Sequence, residues 1–393
     1  MYFKSFLLLV PVVLCDYLLV QKQPIINMLS DSYLKKNSIR KLAFFSNDYQ
    51  IYTVTDENYS RHFHEIRSTF YIEHDQIVKL DPPHIESYFN HDESQFVFGP
   101  LRSSVPWHLD RIDSNTLDDS YMYNTTGSCH RNTSLQIDTY VIDTGIDVDH
   151  PQFEGRAEWL VNYAGDSDDT DGNGHGTHCS GLVGSSSFGV CKDAKLYAIK
   201  VLDSEGSGTL SGVIRGIEHA FNVHMTKSNS LHNSGRDVKS IISMSLGGGY
   251  SRIVNKAVEN CLTSSDSFYV VVASGNENDN ACKTSPASAK GVFSVMAMNT
   301  YDERAYFSNF GKCADIYSPG VDVESTIPNS KSAVYSGTSM ATPIVAGVLN
   351  HYIDMYPHMN MEAIKNKILM DAHKNLIKNN KKSTKNLLVY LQR

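Results

Sequence analysis

Between residues 139 and 356 the sequence repeats one pattern: a short apolar run, a turn bearing Gly or Asn, then a segment with helical periodicity. The apolar runs are "DTYVIDTG", "AKLYAIKVLD", "KSIISMSLGGG", "SFYVVVASGN" and "GVFSVMAMN". None alternates cleanly enough to have one wet face, so each reads as a strand buried on both sides. The segments "LSGVIRGIEHAFNVH" and "SRIVNKAVENCL" have the spacing of helices that cross from one parallel strand to the next. This predicts an α/β fold, three layers deep, with a mainly parallel central sheet flanked by helices. A chain of 393 residues with 41% hydrophobic and 20% charged content has the material for such a core.

The N-terminal part follows a different pattern. "KLAFFS", "YQIYTVT", "NYSRHFHEIRSTFYI" and "HDQIVKL" predict a small α+β unit over about residues 40 to 80. After it comes "DPPHIESYFNHDESQFVFGPLRSSVPW", polar and rich in turn residues, which reads as an exposed, cleavable linker. The opening "MYFKSFLLLVPVVLCDYLLV" has the layout of a secretory signal ending near Cys15. A signal anchor through Val20 is the alternative, and Asp16 weighs against it; no later segment reads as a membrane span. The last 21 residues hold Lys374, Lys378, Lys381, Lys382, Lys385 and Arg393 and no acid, as expected of a solvated tail or terminal helix.

The net charge of -8 argues against a nucleic-acid binder, which would carry a basic face. Export would permit disulfides among Cys129, Cys179, Cys191, Cys261, Cys282 and Cys313, in a pairing that sequence alone leaves open. Sequons at Asn58, Asn124 and Asn132 are candidate glycan sites.

In "TYVIDTGIDVDH", an Asp-Thr-Gly follows a β-branched run and is compatible with two protease chemistries. An aspartic protease needs a second such carboxylate to share a proton, and the chain has no other Asp-Thr-Gly or Asp-Ser-Gly. A serine hydrolase needs instead a His and a Ser downstream. His175 lies between glycines in "DGNGHGTHCSG", and Ser339 precedes the helix-starting run "MATPIVAGVL". A zinc site at His175, His178 and Cys179 lacks the separated second ligand pair. An EF-hand-like start at Asp169, Asp171, Asn173 and Gly174 has Ser180 where the twelfth ligand should be Glu. Pro343 is expected in the first turn of the Ser339 helix, where backbone N–H groups have no intrahelical partner.

Taken together, "VIDTGID", "NGHGTHCSG" and "SGTSMATP", in this order, resemble the Asp, His and Ser motifs of the subtilisin-like serine proteases, most closely the proteinase K and cerevisin branch. The likeness covers about residues 105 to 355, with a looser one between residues 40 to 80 and the family's inhibitory propeptide. It implies a triad of Asp143, His175 and Ser339, with Asn276 of "VVASGNEN" as an oxyanion donor. It implies a cleft lined by Gly206 and Gly208 of "SEGSG" and by Leu246, Gly247 and Gly248 of "SLGGG", where a peptide adds as a strand. It also implies a Cys282–Cys313 disulfide, a buried free thiol at Cys179, and a structural calcium site using Asp315; no cofactor is needed for the chemistry. Thr342 stands where most relatives have Ser, and a polar insert near residues 224 to 237 replaces a shorter loop.

The resulting expectation is a zymogen: signal 1 to 15, propeptide 16 to 102, catalytic domain 103 to 375, basic tail 376 to 393. Cleavage within residues 95 to 106 would release a secreted or cell-surface enzyme, alternatively a vacuolar one. Its partners would be protein or peptide substrates, cut broadly after large apolar residues, and its own propeptide as inhibitor. A narrow processing protease and a catalytically silent surface protein are the competing expectations.

Overall fold

The computed structural model describes residues 17–21, 30–45, 49–80, 105–114, 129, 134–232 and 235–392. The signal ending at Cys15, the sequons at Asn124 and Asn132, and nearly all of the linker lie outside these residues.

The chain divides into two compact units, residues 1–44 with 48–76 and residues 45–47 with 77–393. The first contains β1 (Tyr17–Gln21), α1 (Asp31–Lys36), β2 (Arg40–Phe45), β3 (Tyr49–Val54), α2 (Asp56–Arg61), α3 (Phe63–Thr69) and β4 (Phe70–His74). Its sheet runs β2-β3-β1-β4, with β1 antiparallel to both neighbours. Leu19, Leu34, Tyr52, Val54, Ile66 and Phe70 form its core. Strand β1 was not anticipated: "YLLVQ" lies after the export signal that sequence reasoning ends at Cys15 and before the α+β unit it places over about residues 40 to 80. Asn58 lies on α2, its side-chain amide donating to Thr55 Oγ1 at 2.9 Å.

The second unit begins with β5 (Ile77–Lys79), α4 (Trp107–Asp113), β6 (Leu135–Asp143), β7 (Ala157–Asn162), α5 (His175–Gly184), β8 (Lys195–Lys200) and β9 (Ser207–Thr209). It continues through α6 (Leu210–His232), β10 (Asp237–Met244), β11 (Gly248–Gly249), α7 (Arg252–Ser264), β12 (Phe268–Ala273), β13 (Thr284–Ser285), β14 (Phe293–Met298) and β15 (Ile316–Pro319). The remaining elements are β16 (Val323–Ile327), β17 (Lys331–Tyr335), α8 (Thr338–Met355), α9 (Met361–Asp371), β18 (His373–Lys374) and β19 (Leu387–Leu388).

A nine-stranded sheet in the order β18-β19-β15-β14-β12-β10-β6-β8-β7 forms the middle layer. It is parallel throughout except for the β18–β19 pair. The five predicted apolar runs are β6, β8, β10, β12 and β14, and the two predicted crossover helices are α6 and α7. Strand β12 is buried at every position, as a strand covered on both faces must be.

Two expectations need correcting. The polar stretch from residue 224 is mostly no loop: α6 runs on through His232. His224 explains part of this, since its ring is buried and bonds Ser240 Oγ and Ser265 Oγ, each at 2.9 Å. The basic C-terminal segment is also neither a solvated tail nor a helix. Leu388 and Val389 are fully buried, Val389 N–H donates to Tyr317 O, and Leu391 N–H donates to Ile112 O. The lysines hid a strand because they lie in the turns before it. We therefore expect Leu388→Ala to lower the unfolding free energy by ~2–5 kcal/mol, the range for a buried Leu. Urea unfolding measures this, and a residue in a solvated tail would give almost no change.

Candidate active site

Parallel strands all end on the same sheet edge, and loops there converge at their C-terminal ends. Asp143 closes β6, Asn276 follows β12, and His175 and Ser339 lie in the first turns of α5 and α8. Asp143 is fully buried and His175 is 5% exposed. The His175 ring places Nδ1 2.8 Å from Asp143 Oδ1, which also accepts the Thr144 N–H at 2.7 Å.

The start of α5 is held by a residue that sequence reasoning had weighed as a calcium ligand and set aside. The Asp171 carboxylate accepts from Gly174 N–H at 2.8 Å, Thr177 N–H at 2.8 Å, Thr177 Oγ1 at 2.6 Å and Thr144 Oγ1 at 2.8 Å. An anionic acceptor is favourable at a helix N-terminus, where backbone donors have no intrahelical partner. Thr144 Oγ1 in turn accepts from Gly176 N–H at 2.9 Å, so the strand end and the helix start are joined. The approach is close enough that a Cβ on Gly176 would lie 2.1 Å from Gly145 O. Beneath, the buried Lys200 ammonium donates to Thr144 O and Leu202 O at 2.9 Å and pairs with Asp166 at 3.3 Å.

Burial alone would lower the pKa of His175. The adjacent Asp143 carboxylate, reinforced by Cys179, more than offsets this, and the net shift is well upward. His178, by contrast, is pushed down to about 3 by burial. It faces away, bonding Ala333 O at 3.0 Å and stacking on Tyr335. The zinc grouping considered above is therefore split.

Ser339 is the second residue of α8. Pro343 is the sixth residue of α8, beyond the first turn where it was expected. Lacking an N–H, it cannot serve the carbonyl four residues earlier, and that carbonyl belongs to Ser339. Two side chains take over: Ser245 Oγ donates to Ser339 O at 2.8 Å and Cys179 Sγ at 3.5 Å. Cys179 also lies 3.9 Å from His175 Nδ1, so one buried thiol touches both sides of the site. The Ser339 hydroxyl itself donates to Ser245 O at 3.1 Å. Asn276 Oδ1 accepts from Thr338 N–H at 2.9 Å and Thr338 Oγ1 at 2.8 Å, which fixes the amide and leaves Nδ2 as its donor.

The recess beside Ser339 and Asn276 is lined by Leu246, Gly247, Gly248, Ala273 and Glu277. Strand β5 runs into it, pairing antiparallel with β9, and Leu80 N–H donates to Gly206 O at 2.8 Å. The two glycines of "SEGSG" do different work. A Cβ on Gly206 would meet Leu80 at 3.1 Å, whereas one on Gly208 would lie 2.2 Å from Val201 O, inside its own fold. Only Gly206 makes room for the incoming strand. Glu277, accepting from Asn309 Nδ2, puts a carboxylate at the recess that the apolar expectation overlooked.

Cys282 and Cys313 form a disulfide with Cα atoms 5.2 Å apart, and Cys179 is a buried free thiol. Asp315 does not stand open to a metal. Its carboxylate is bonded by Lys365 Nζ at 2.9 Å and Lys385 Nζ at 2.6 Å, and Lys365 also donates to Val292 O. Burial works against its charge, but the two ammonium groups prevail and hold it below the usual carboxylate range. The residues therefore do not fit calcium: fixed cations already fill the carboxylate and the nearby carbonyl.

Residues 140–388 match the subtilase family. The chain is 44% identical over 269 residues to the subtilisin-like serine protease Rho m 2.0101 of Rhodotorula mucilaginosa, covering 67% of this chain and 75% of that one. It is 42% identical over 314 residues to alkaline protease 2 of Aspergillus fumigatus, covering 76% of this chain and 59% of the relative. It is 38% identical to the subtilisin-like serine protease pepC of Aspergillus niger, covering 83% and 62%. The chain thus spans less than two thirds of these two Aspergillus relatives. A crystal structure of a cold adapted subtilisin-like serine proteinase superimposes with a TM-score of 0.65 at 34% identity, covering 74% of this chain and all of the other.

Two outcomes follow from the charges at these sites. A histidine base works only when neutral, and the folded pKa of His175 is raised, so peptide-cleaving activity that uses this ring should fall as pH drops through that raised value. In Asp143→Asn the midpoint of kcat/KM against pH should move down, and the rate should fall by roughly 10⁴. For Asp315, Asp315→Asn should leave the response of the melting temperature to a chelator or added calcium the same as in the wild type, as scanning calorimetry would record, whereas Lys365→Met should lower the melting temperature itself.

Proposed function

This chain belongs to the subtilase family of serine endopeptidases, and on that footing we propose that Ser339 is its nucleophile, His175 its general base and acid, and Asp143 the partner that orients His175. The observation that carries this reading is the buried Asp143–His175 hydrogen bond, set at the sheet edge that also presents Ser339 and Asn276.

The chemistry follows from the donors and acceptors. With Nδ1–H given to Asp143, neutral His175 keeps a lone pair on Nε2. A χ1 rotation takes the Ser339 hydroxyl from Ser245 O to that nitrogen, which removes its proton as Oγ attacks the substrate carbonyl carbon. Negative charge develops on the carbonyl oxygen, where Asn276 Nδ2 and the Ser339 N–H are the donors. His175 then passes the proton to the leaving amine, and water repeats the sequence in reverse on the acyl-enzyme. Asp143 stabilises the imidazolium while it lasts.

The substrate adds as a strand beside β9, over Gly206, with its side chain before the scissile bond in the recess by Leu246 and Gly247. Large apolar residues suit that recess, and Glu277 adds tolerance for Lys and Arg. Residues 77–80 occupy this strand position already, which supports a zymogen whose pro-segment precedes the catalytic domain. The cut that empties the cleft lies beyond Leu80, within residues 95 to 106. Entry into the secretory pathway, with a secreted, cell-surface or vacuolar destination, and glycans at the sequons belong to the same proposal.

A fluorophosphonate probe should form an adduct on Ser339 of the processed chain, located by peptide mass spectrometry, and none in His175→Ala. No adduct on a folded chain freed of its pro-segment would favour the silent surface protein. Asn276→Ala should lower kcat by about 10²–10³ with KM little changed. A peptide library separates a broad degrader from a narrow processing enzyme.

A further inference from the structure

Three features meet at a buried spot away from Ser339. Cys129 and Cys191 are 2% and 0% exposed, and their sulfurs and an Asp193 carboxylate oxygen all lie within 4.8 Å of one another. Asp193 Oδ1 accepts the Cys129 N–H at 2.8 Å and the Cys191 thiol at 3.4 Å. The Cys129 thiol lies 3.9 Å from Val190 O, and the neighbouring His351 ring favours its thiolate. His351 Nε2 lies 2.7 Å from Gln392 O, a pure acceptor, so Nε2 carries the proton and Nδ1 is the basic nitrogen of the neutral ring.

We propose that Cys129 and Cys191 form a second disulfide, made during folding by exchange with a small-molecule disulfide such as oxidised glutathione. The other two free thiols lack this setting: Cys261 bonds Ala257 O within its own helix, and Cys179 bonds Ser339 O. A disulfide bond is about 2.05 Å long, so the sulfurs have less than 3 Å to close. Cys129 is also the better nucleophile. Burial raises its pKa, but hydrogen bonds from Cys191 and His351 outweigh that and lower it, while burial and Cys129 hold Cys191 well up.

The exchange balances. Cys129 gives its proton to His351, and its thiolate attacks one sulfur of glutathione disulfide, expelling one glutathione thiolate. Cys191 gives its proton to the first glutathione thiolate, attacks the Cys129 sulfur of the mixed disulfide and expels the second glutathione, which takes the proton held by His351. Two protein thiols are oxidised by two electrons, and one external disulfide becomes two thiols. The bridge spans positions 129 and 191, 62 apart in sequence. It joins the segment leading into β6 to the turn after α5, where Cys191 N–H donates to Val183 O. These two elements carry Asp143 and His175, so the link fastens them at the ends away from the site.

The test uses the full chain, expressed through a secretory host and denatured in iodoacetamide without reductant, then digested and mass-mapped. The expected result is a peptide pair cross-linked through Cys129 and Cys191, with Cys179 and Cys261 alkylated. Cys129→Ala, Cys191→Ala and the double variant should each lower the melting temperature by the same several degrees, since either single change already removes the bridge. Alkylation of both Cys129 and Cys191 in the unreduced wild type would overturn the proposal. Metal analysis of the same sample divides that outcome: one equivalent of released zinc would make the cluster a metal site, and none a plain dithiol.

Discussion

The Asp171 carboxylate is the fastening on which the proposed site depends. It gathers the backbone and side-chain donors at the start of α5 and reaches Thr144 at the end of β6. With the strand end and helix start so joined, Asp143 and His175 meet at 2.8 Å without either being free to choose another geometry. The glycines follow from this closeness: Gly176 lies against Gly145 O, where any side chain would collide. The His motif is thus a packing motif as much as a chemical one, and its small residues admit a carboxylate and a helix into the same space.

Most of the central sheet was legible because burial on both faces leaves a plain mark. Strands β6, β8, β10, β12 and β14 are rich in apolar residues and buried along most of their length, β12 and β14 at every position. The residues proposed here as the triad, with Asn276, were picked out through turn chemistry at strand ends and helix starts, helped by the family resemblance. What escaped was written in residues whose partners are distant. Lys200 looks like an ordinary strand residue until its ammonium is placed under Thr144 O. Ser245 and Cys179 acquire meaning only when Pro343 is seen to orphan the Ser339 carbonyl. The strand at Leu387–Leu388 was masked by the lysines of the turns before it, and β1 by its continuity with the apolar opening that precedes it.

Pro343 also shows how a local rule can hold for the wrong reason. A proline near a helix start is ordinarily harmless, and placing it in the first turn seemed to account for it. In its actual position the missing N–H frees a specific carbonyl, and the acceptor so freed lies on Ser339 itself. Two side chains from separate elements converge on that acceptor, which ties the Ser339 backbone to β10 through Ser245 and to α5 through Cys179. The main chain of the proposed nucleophile is thereby braced by the helix that carries His175.

The lysines around Asp315 have a wider bearing. A bound ion confers stability according to its free concentration and can be lost by dilution. Lys365 and Lys385 are counter-ions attached to the chain, so their local concentration is set by the fold and no supply from the surroundings is needed. The vulnerability moves accordingly, from depletion of a metal to whatever neutralises an amine: strongly alkaline conditions, or acylation of the half-exposed Lys385 side chain, which is 45% accessible.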